Sequence, residues 1–596
     1  NWGAGGAFDD DNIPTANGAW SFTNWPTTDA IDTDKYFEFT VDLTGYEDIH
    51  LKFEERRSDT GIGKFEVHYG VEGVTFTKIG TTETTVPDDE SWRTTYDFDL
   101  SSISVIEEKS SISFRIYGYK AEGSLGTWRI DDVTVTGTLM TCPTKIYVDD
   151  SITGGDNNGF NWKNAFTDLN LAITWRNANC NTTDVWVAAG TYTDTFPLSE
   201  DIKIYGGFAA IQGSEGLNSG KFDEQSVRSG TTTLKGNGND RVVTIDTGIN
   251  VTLERLTISG GNANGTDPDN NGGGIYNDNG SMTLSKVTLT GNTASNHGGG
   301  MYNNGCGTVN ISGGSFTDNS AVNGGGMYNL NCSPNISSST TPVTFTSNIA
   351  SGNGGAIYND NSNPQIKRIY IQGNSAVNGG GIYNAGTSNP PIDHAVVSGN
   401  KATTNGGGMY SENLSSIISQ VTFSGNLAGG SGGGIYNAAG DFTINNSIFW
   451  QNKDGGGINE SGQIHVASGT PKVNYSIVED GSLPVITNGW TGSTDDIDPI
   501  TLESKNTNAN PIFKTSITPA LTTAGDFHLN HSDSAALDAG KNSYTGEILD
   551  LDKKERKVQV SSTSDPLFIV DMGPYETEFP VVETIECNNP STCDNA

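Results

Sequence analysis

Charge is scarce in this chain, and it is one-sided. Asp, Glu, Lys and Arg make up 17% of 596 residues, with 70 acidic groups against 33 basic ones. A surface so poor in cations repels nucleic acid and anionic membranes, and it makes divalent-cation binding the natural electrostatic expectation. No apolar run approaches the roughly 18 residues that a membrane-spanning helix needs. With Asn1 first and no signal-peptide pattern in the opening residues, the sequence is expected to be an already processed form. There is no Cys-x-x-Cys, no paired His accompanies the cysteines, and neither a nucleophile elbow nor a P-loop appears. Those absences remove the usual zinc, serine-hydrolase and nucleotide-binding readings.

Glycine is what the chain has in quantity, 76 residues of it, and much of it is periodic. The phrase Gly-Gly-Gly-Ile-Tyr-Asn begins at Gly272 and returns, with small changes, at Gly298, Gly324, Gly354, Gly379, Gly406, Gly432 and, decayed, at Gly455. Most of these starts lie 25 to 27 residues apart. A second phrase keeps step, an apolar residue three before an Asn, as in Leu289/Asn292, Phe316/Asn319, Phe345/Asn348 and Phe423/Asn426. Self-similarity at a fixed period means stacked units that bury their apolar faces against one another. Units crowded with Gly, Asn, Ser and Thr make poor helices. Alternating runs such as Met282–Leu289 read instead as strands. Three short strands and three turns per unit predict a parallel β-helix of about 26 residues per coil.

The alternation places Ile275 inward, Tyr276 outward and Asn277 inward. Asn277, Asn303, Asn329, Asn359, Asn384 and Asn437 are then expected to form an internal amide ladder, interrupted at Ser411. Tyr276, Tyr302, Tyr328, Tyr358, Tyr383, Tyr410 and Tyr436 are expected to form an outward stripe. It is read either as ring-on-ring stiffening or as an aromatic platform for a glycan or another protein. Cys306 and Cys332 each lie eight residues after a triplet start, so they stack in adjacent coils within disulfide reach. Cys142 and Cys180 bracket the lead-in to the β-helix, and Cys587 and Cys593 close a small loop in the tail. Three disulfides imply an oxidising, extracellular setting.

The paired phrases resemble the GGA(I/L) and FxxN repeats of the polymorphic outer-membrane protein type of right-handed β-helix, found in bacterial surface adhesins. The resemblance covers about 190 residues and implies surface exposure and adhesion rather than a reaction.

Residues 1–138 are a different text. Runs such as Tyr36–Leu43, Lys64–Tyr69 and Ile112–Tyr117 alternate with period two between turns, which predicts an antiparallel β-sandwich. Thr127–Thr136 and the Arg56–Gly61 turn resemble jelly-roll modules of secreted bacterial proteins, several of which bind carbohydrate. Trp20, Trp25 and Trp92 are read as sugar-binding or core residues. Asp9, Asp131 and Asp132 are read as Ca²⁺ ligands or solvated turns. Residues 139–183 form a lead-in resembling that of secreted β-helices, with a short amphipathic helix from Thr167 to about Asn177 capping the first coil. The β-helix is expected over 184–490. Residues 491–578 resemble the choice-of-anchor Q module of secreted bacterial proteins, notably of Bacteroidetes. In that group a type IX sorting signal usually follows; here it is expected to be missing or removed. Asp550 and Asp552 in that module are a second possible Ca²⁺ pair, and 579–596 is a disulfide-closed tail.

Two functions remain open. One is a non-catalytic surface rod, for adhesion or for building a fibre or sheath, with itself or a cell-surface glycan or protein as partner and no cofactor required. The other is a polysaccharide lyase or glycoside hydrolase with an appended sandwich. For the second, Asp393-His394 one coil from Lys367-Arg368 is the best cluster on offer, because such chemistry needs a base beside carboxylates on one face.

Overall fold

The computed structural model describes residues 20–139 with short interruptions (44–45, 72–74, 81–83, 87–95 and 107–110). It also describes 142–209 except 154 and 156, and all of 228–479. Beyond these lie a few isolated segments: 2–3, 491–492, 511, 513–515, 526–529, 558–560 and 567–569. The chain is almost entirely β and divides into two units, Asn1–Cys142 and Pro143–Ala596.

The first unit is a sandwich of two antiparallel sheets. One contains Phe37–Val41, Ile112–Tyr119, Lys64–Val71 and Thr75–Lys78 as neighbours; the other contains Trp20–Phe22, Trp128–Leu139, Tyr46–Arg57 and Tyr96–Asp99. Period-two alternation sends Phe37, Phe39, Ile49, Leu51, Phe53, Phe65, Val67, Phe114 and Ile116 into one shared core. Trp128 is fully buried there, with the Trp25 ring 5.2 Å away in an edge-on contact. Trp25 is therefore a core residue and offers no ring to a sugar. The Trp20 side chain and Trp92 lie outside the described residues. In the Arg56–Gly61 turn Asp59 and Thr60 are exposed, whereas Arg57 faces inward. Arg57 is buried, and its guanidinium donates to the carbonyls of Gly61 and Ile62 at 3.3 and 3.0 Å.

The second unit is a parallel β-solenoid of about 9 turns and ~27 residues per turn. Its strands stack into three sheets. The longest takes two strands from most coils, as in Ser281–Ser285 and Thr288–Thr290; a seven-stranded sheet takes two-residue strands such as Thr293–Ala294; a ten-stranded sheet takes the Ile-Tyr-Asn strands. Coils with two long-sheet strands thus have four short strands where the sequence led us to expect three, whereas in three coils that strand runs unbroken, as Gln365–Gln372, Ile392–Ser398 and Ile417–Ser424. A residue in the left-handed region marks this corner, between two strands at Arg255 and Lys286 and inside one continuous strand at Arg368, His394 and Gln420, all with φ between +52° and +56°. One such residue bends the strand without ending its pairing to the coils on either side.

The lead-in belongs to the solenoid. Lys145–Val148 pairs in parallel with Asp184–Ala188, one coil earlier than the sequence placed the start. Helix α1, Leu169–Asn179, begins at Asp168, whose carboxylate accepts from the Leu171 amide at 2.8 Å. Its buried side, Leu169, Ala172 and Ile173, joins Ile146 and Val148 in the core that then runs without a break to Val478. That covers the apolar interior at the first coil. Phe rings from successive coils stack inside it, Phe316 on Phe345 at 4.4 Å and Phe423 on Phe449 at 4.9 Å. Most of the stretch read as a choice-of-anchor module lies outside the described residues, apart from two antiparallel strand pairs: Phe513–Thr515 with Asp526–Leu529, and Val558–Val560 with Leu567–Ile569.

Candidate functional site: the stacked tyrosine face

The tyrosine face is built from the glycine triplet upward. The first glycine of each triplet turns the chain in the left-handed region, with φ of +61° to +69° from Gly272 to Gly432. The second is needed for space. A Cβ at Gly299 would sit 2.3 Å from the Ser320 carbonyl oxygen and 2.6 Å from that of Gly325. The residue before each triplet ties the turn to its neighbour: the Asn323 carbonyl accepts from the Gly298 amide at 3.0 Å, and its side-chain oxygen from the Asn353 amide at 2.9 Å. Close backbone approach then brings the following tyrosines into register, Tyr276↔Tyr302↔Tyr328↔Tyr358↔Tyr383↔Tyr410↔Tyr436.

In that register the rings form one column. Centroids are 4.6 to 5.5 Å apart and the planes lie within 22° of parallel. The Arg241 guanidinium covers the first ring at 4.2 Å, and the His465 imidazole continues the column past Tyr436 at 5.0 Å. His297 lies on Tyr328 at 4.3 Å. Of the two readings of the stripe, the geometry has the form of ring-on-ring stacking. Tyr276, Tyr302, Tyr328 and Tyr383 are only 5–7% exposed, because each ring's faces are covered by the rings of the adjacent coils. A ligand meets ring edges and phenol groups, so stacking of a sugar on an open ring face is unavailable.

Carboxylates stand at two of those phenols. Tyr328 Oη donates to Asp360 at 3.0 Å, and Tyr383 Oη to Glu412 at 2.9 Å. Burial first, and then the neighbouring carboxylate, hold these two phenols well above the ordinary tyrosine range. Burial likewise pushes Tyr302 and Tyr358 up to about 12, and lowers His297 and His465 below the usual histidine range.

Behind the tyrosines, inside the coil, the Asn side chains are fully buried and bonded amide to amide. Asn277 donates to Asn303 at 3.2 Å, and Asn303 to Asn329, Asn329 to Asn359 and Asn359 to Asn384 at 2.9 Å each. Asn437 lies beyond Ser411 and donates to the Gly440 carbonyl.

A second ladder went unassigned in the sequence, although its phrase was visible there. Asn292, Asn319, Asn348, Asn374, Asn400, Asn426 and Asn452 turn inward at the corner after the Phe strand. At each step the backbone amide and Nδ2 of one Asn both donate to the next side-chain oxygen. For Asn374 onto Asn400 the distances are 3.0 and 2.9 Å. The same Nδ2 also reaches a carbonyl of the preceding coil, Phe345 in this case. The ladder ends on Gln463, from the short helix Glu460–Gln463, whose Oε1 accepts from Asn452 Nδ2 at 2.8 Å. Gln463 stands outside the repeated phrase, so periodicity gave no sign of it.

Cys306 and Cys332 are joined across adjacent coils, with Cα atoms 5.0 Å apart. Cys142 and Cys180 are also disulfide-bonded. Cys587 and Cys593 lie outside the described residues, as do Asp9, Asp550 and Asp552. Asp131 accepts from the amide of Asp132, and no group of three or more metal-ligating side chains occurs among the described residues. The Asp393 cluster does come together, with Lys367 Nζ 3.5 Å and His394 Nδ1 2.8 Å from its carboxylate. Burial would raise the Asp393 carboxyl, but the hydrogen bond and charge of His394, with Lys367, outweigh it and hold it below the usual range. Its histidine is fully buried in the wall at a left-handed bend rather than presented on a face.

Two stretches of the chain, 342–360 and 420–438, match the Chlamydia polymorphic membrane protein repeat. Each runs from the long-sheet Phe strand through the laddered Asn and the glycine turn into the tyrosine strand. No curated protein matches the chain. Among the described residues no helix is long and apolar enough to cross a membrane.

Proposed function

We propose that this chain works as a cell-surface, adhesin-like rod. One observation carries the reading: the repeat matched at 342–360 and 420–438 coincides with coils lying inside one continuous solenoid core. A covalent link between neighbouring coils suits an oxidising, extracellular setting. An acidic surface disfavours nucleic acid and leaves a cell-surface glycan, a protein or a second copy of the chain as partner. Contact would be made by ring edges, phenols and the carboxylates beside them. Secretion by the type IX route, implied by the resemblance of the C-terminal segment, belongs to the same proposal.

The test is an antibody against the solenoid applied to intact cells of the source organism, with and without protease shaving. Labelling of intact cells that shaving removes is the expected result; labelling only after lysis would sink the reading. Electron microscopy of the native material, with and without EDTA, then separates the roles. Filaments or sheets that dissolve in EDTA would make the chain a fibre subunit with Ca²⁺ at its contacts. Single short rods in both conditions would leave adhesion.

A further inference from the structure

The inner ladder behind the tyrosines is interrupted where Asn384 is registered against Ser411. Asn384 Oδ1 accepts from Asn359, but its Nδ2 has no hydrogen-bond partner. Ser411 Oγ has none either, and both side chains are fully buried. Every earlier step from Asn277 onward is spanned by an amide-to-amide bond. A hydroxyl on the same backbone stops short of the position an amide oxygen would occupy. The Asn384 donor therefore finds no acceptor on the Ser411 side chain. Beyond the step, Asn437 Nδ2 donates to the Gly440 carbonyl and its Oδ1 accepts from the Leu414 amide at 3.2 Å; neither atom bonds Ser411 Oγ. The group that Ser lacks relative to Asn has about the volume of one water, roughly 30 Å³ in the liquid, and a buried water needs at least two polar partners.

We propose that this step is a built hydration site. One water accepts from Asn384 Nδ2 and bonds to Ser411 Oγ, so the ladder passes through solvent for a single step. A stack of repeats is as strong as its neighbour-to-neighbour contacts. The joint between Ile382–Ala385 and Met409–Ser411 is then where this stretch of the solenoid opens first.

The test uses the full chain, its S411N variant and an S411A control. A high-resolution crystal structure of the wild type is expected to show one ordered water within hydrogen-bond distance of both atoms, and S411N is expected to displace it. Hydrogen exchange of the amides in the two flanking strands should slow about fivefold in S411N, the factor that corresponds to ~1 kcal/mol, and quicken in S411A. A wild-type structure with no water between these atoms would overturn the site. Unchanged or faster exchange in S411N would overturn the joint.

Discussion

The sandwich and the solenoid solve the same burial problem in opposite ways. In the sandwich, dissimilar rings interlock once. Trp128 meets Trp25, Phe37 and Phe65 at centroid distances of 5.2, 5.3 and 5.7 Å, and none of these contacts recurs. In the solenoid each contact is copied: Phe on Phe, Tyr on Tyr, Asn on Asn. The lesson is that a single residue can be indispensable to the first unit, whereas the second spreads its stability over many equivalent steps and is vulnerable where a step loses hydrogen-bond partners.

The most severe way to break that contrast is W128A. Truncating a fully buried Trp costs about 4 kcal/mol. It is expected to abolish the sandwich transition in urea while the solenoid transition stays in place, since the two cores share no residue. Equal loss of both transitions would mean the units fold as one. Next comes N400A, which strips the acceptor from two buried Asn374 donors and the donor from the Ile371 carbonyl. At roughly 1 kcal/mol or more for each orphaned group, a loss of about 3 kcal/mol follows. N329A in the other ladder breaks one amide bond on each side and should cost less, about 2 kcal/mol. Equal midpoint shifts for the two variants would show that the doubled bonding of the Phe-corner ladder adds nothing. Y358L removes one ring from the middle of the column and should cost about 1 kcal/mol beyond its burial.

The smallest effect is one of pH. Burial pushes the Tyr302 and Tyr358 phenols up to about 12 in the folded chain, against 10.0 for an unperturbed tyrosine. Between those values the unfolded chain has lost protons that the folded chain still holds. The stabilisation is complete below pH 10 and declines as pH rises toward 12. Phenolate absorbance measured against pH should show a late-ionising class that joins the ordinary one in denaturant. A single class near pH 10 in the folded protein would contradict the burial of the column.

Much of the solenoid was legible before any coordinates. Coil length, inward Ile and Asn, the cysteine pair and the capping helix all follow from a period and an alternation, which are local properties. What escaped depends on neighbours. Tyr276 reads as outward and is outward, yet the ring in the next coil buries it, and alternation within one strand carries no information about that. The second ladder was seen as a phrase without a role, because an Asn at a corner is equally at home in a solvated turn. Gln463 belongs to no phrase at all. The left-handed bend in the long-sheet strand was missed because it requires no fixed residue type: Arg, Lys, His and Gln all fill it. In the sandwich, period two located the strands, but a Trp beside a turn had two fates, and the core took Trp25.

The coils differ in length without losing register, and the surplus has an address. Between the two long-sheet strands of one coil stand only Gly313 and Gly314. In the next coil the corresponding span runs from Ser337 to Pro342, between Asn335–Ile336 and Val343–Thr346. Phe316 still meets Phe345, and Asn319 still donates to Asn348 at 3.0 Å. The bend has therefore already accommodated inserted chain at no cost to the pitch. Lengthening a surface loop adds little entropic penalty, so this corner is the natural graft point for an epitope, a tag or an enzyme displayed at a fixed height along the scaffold.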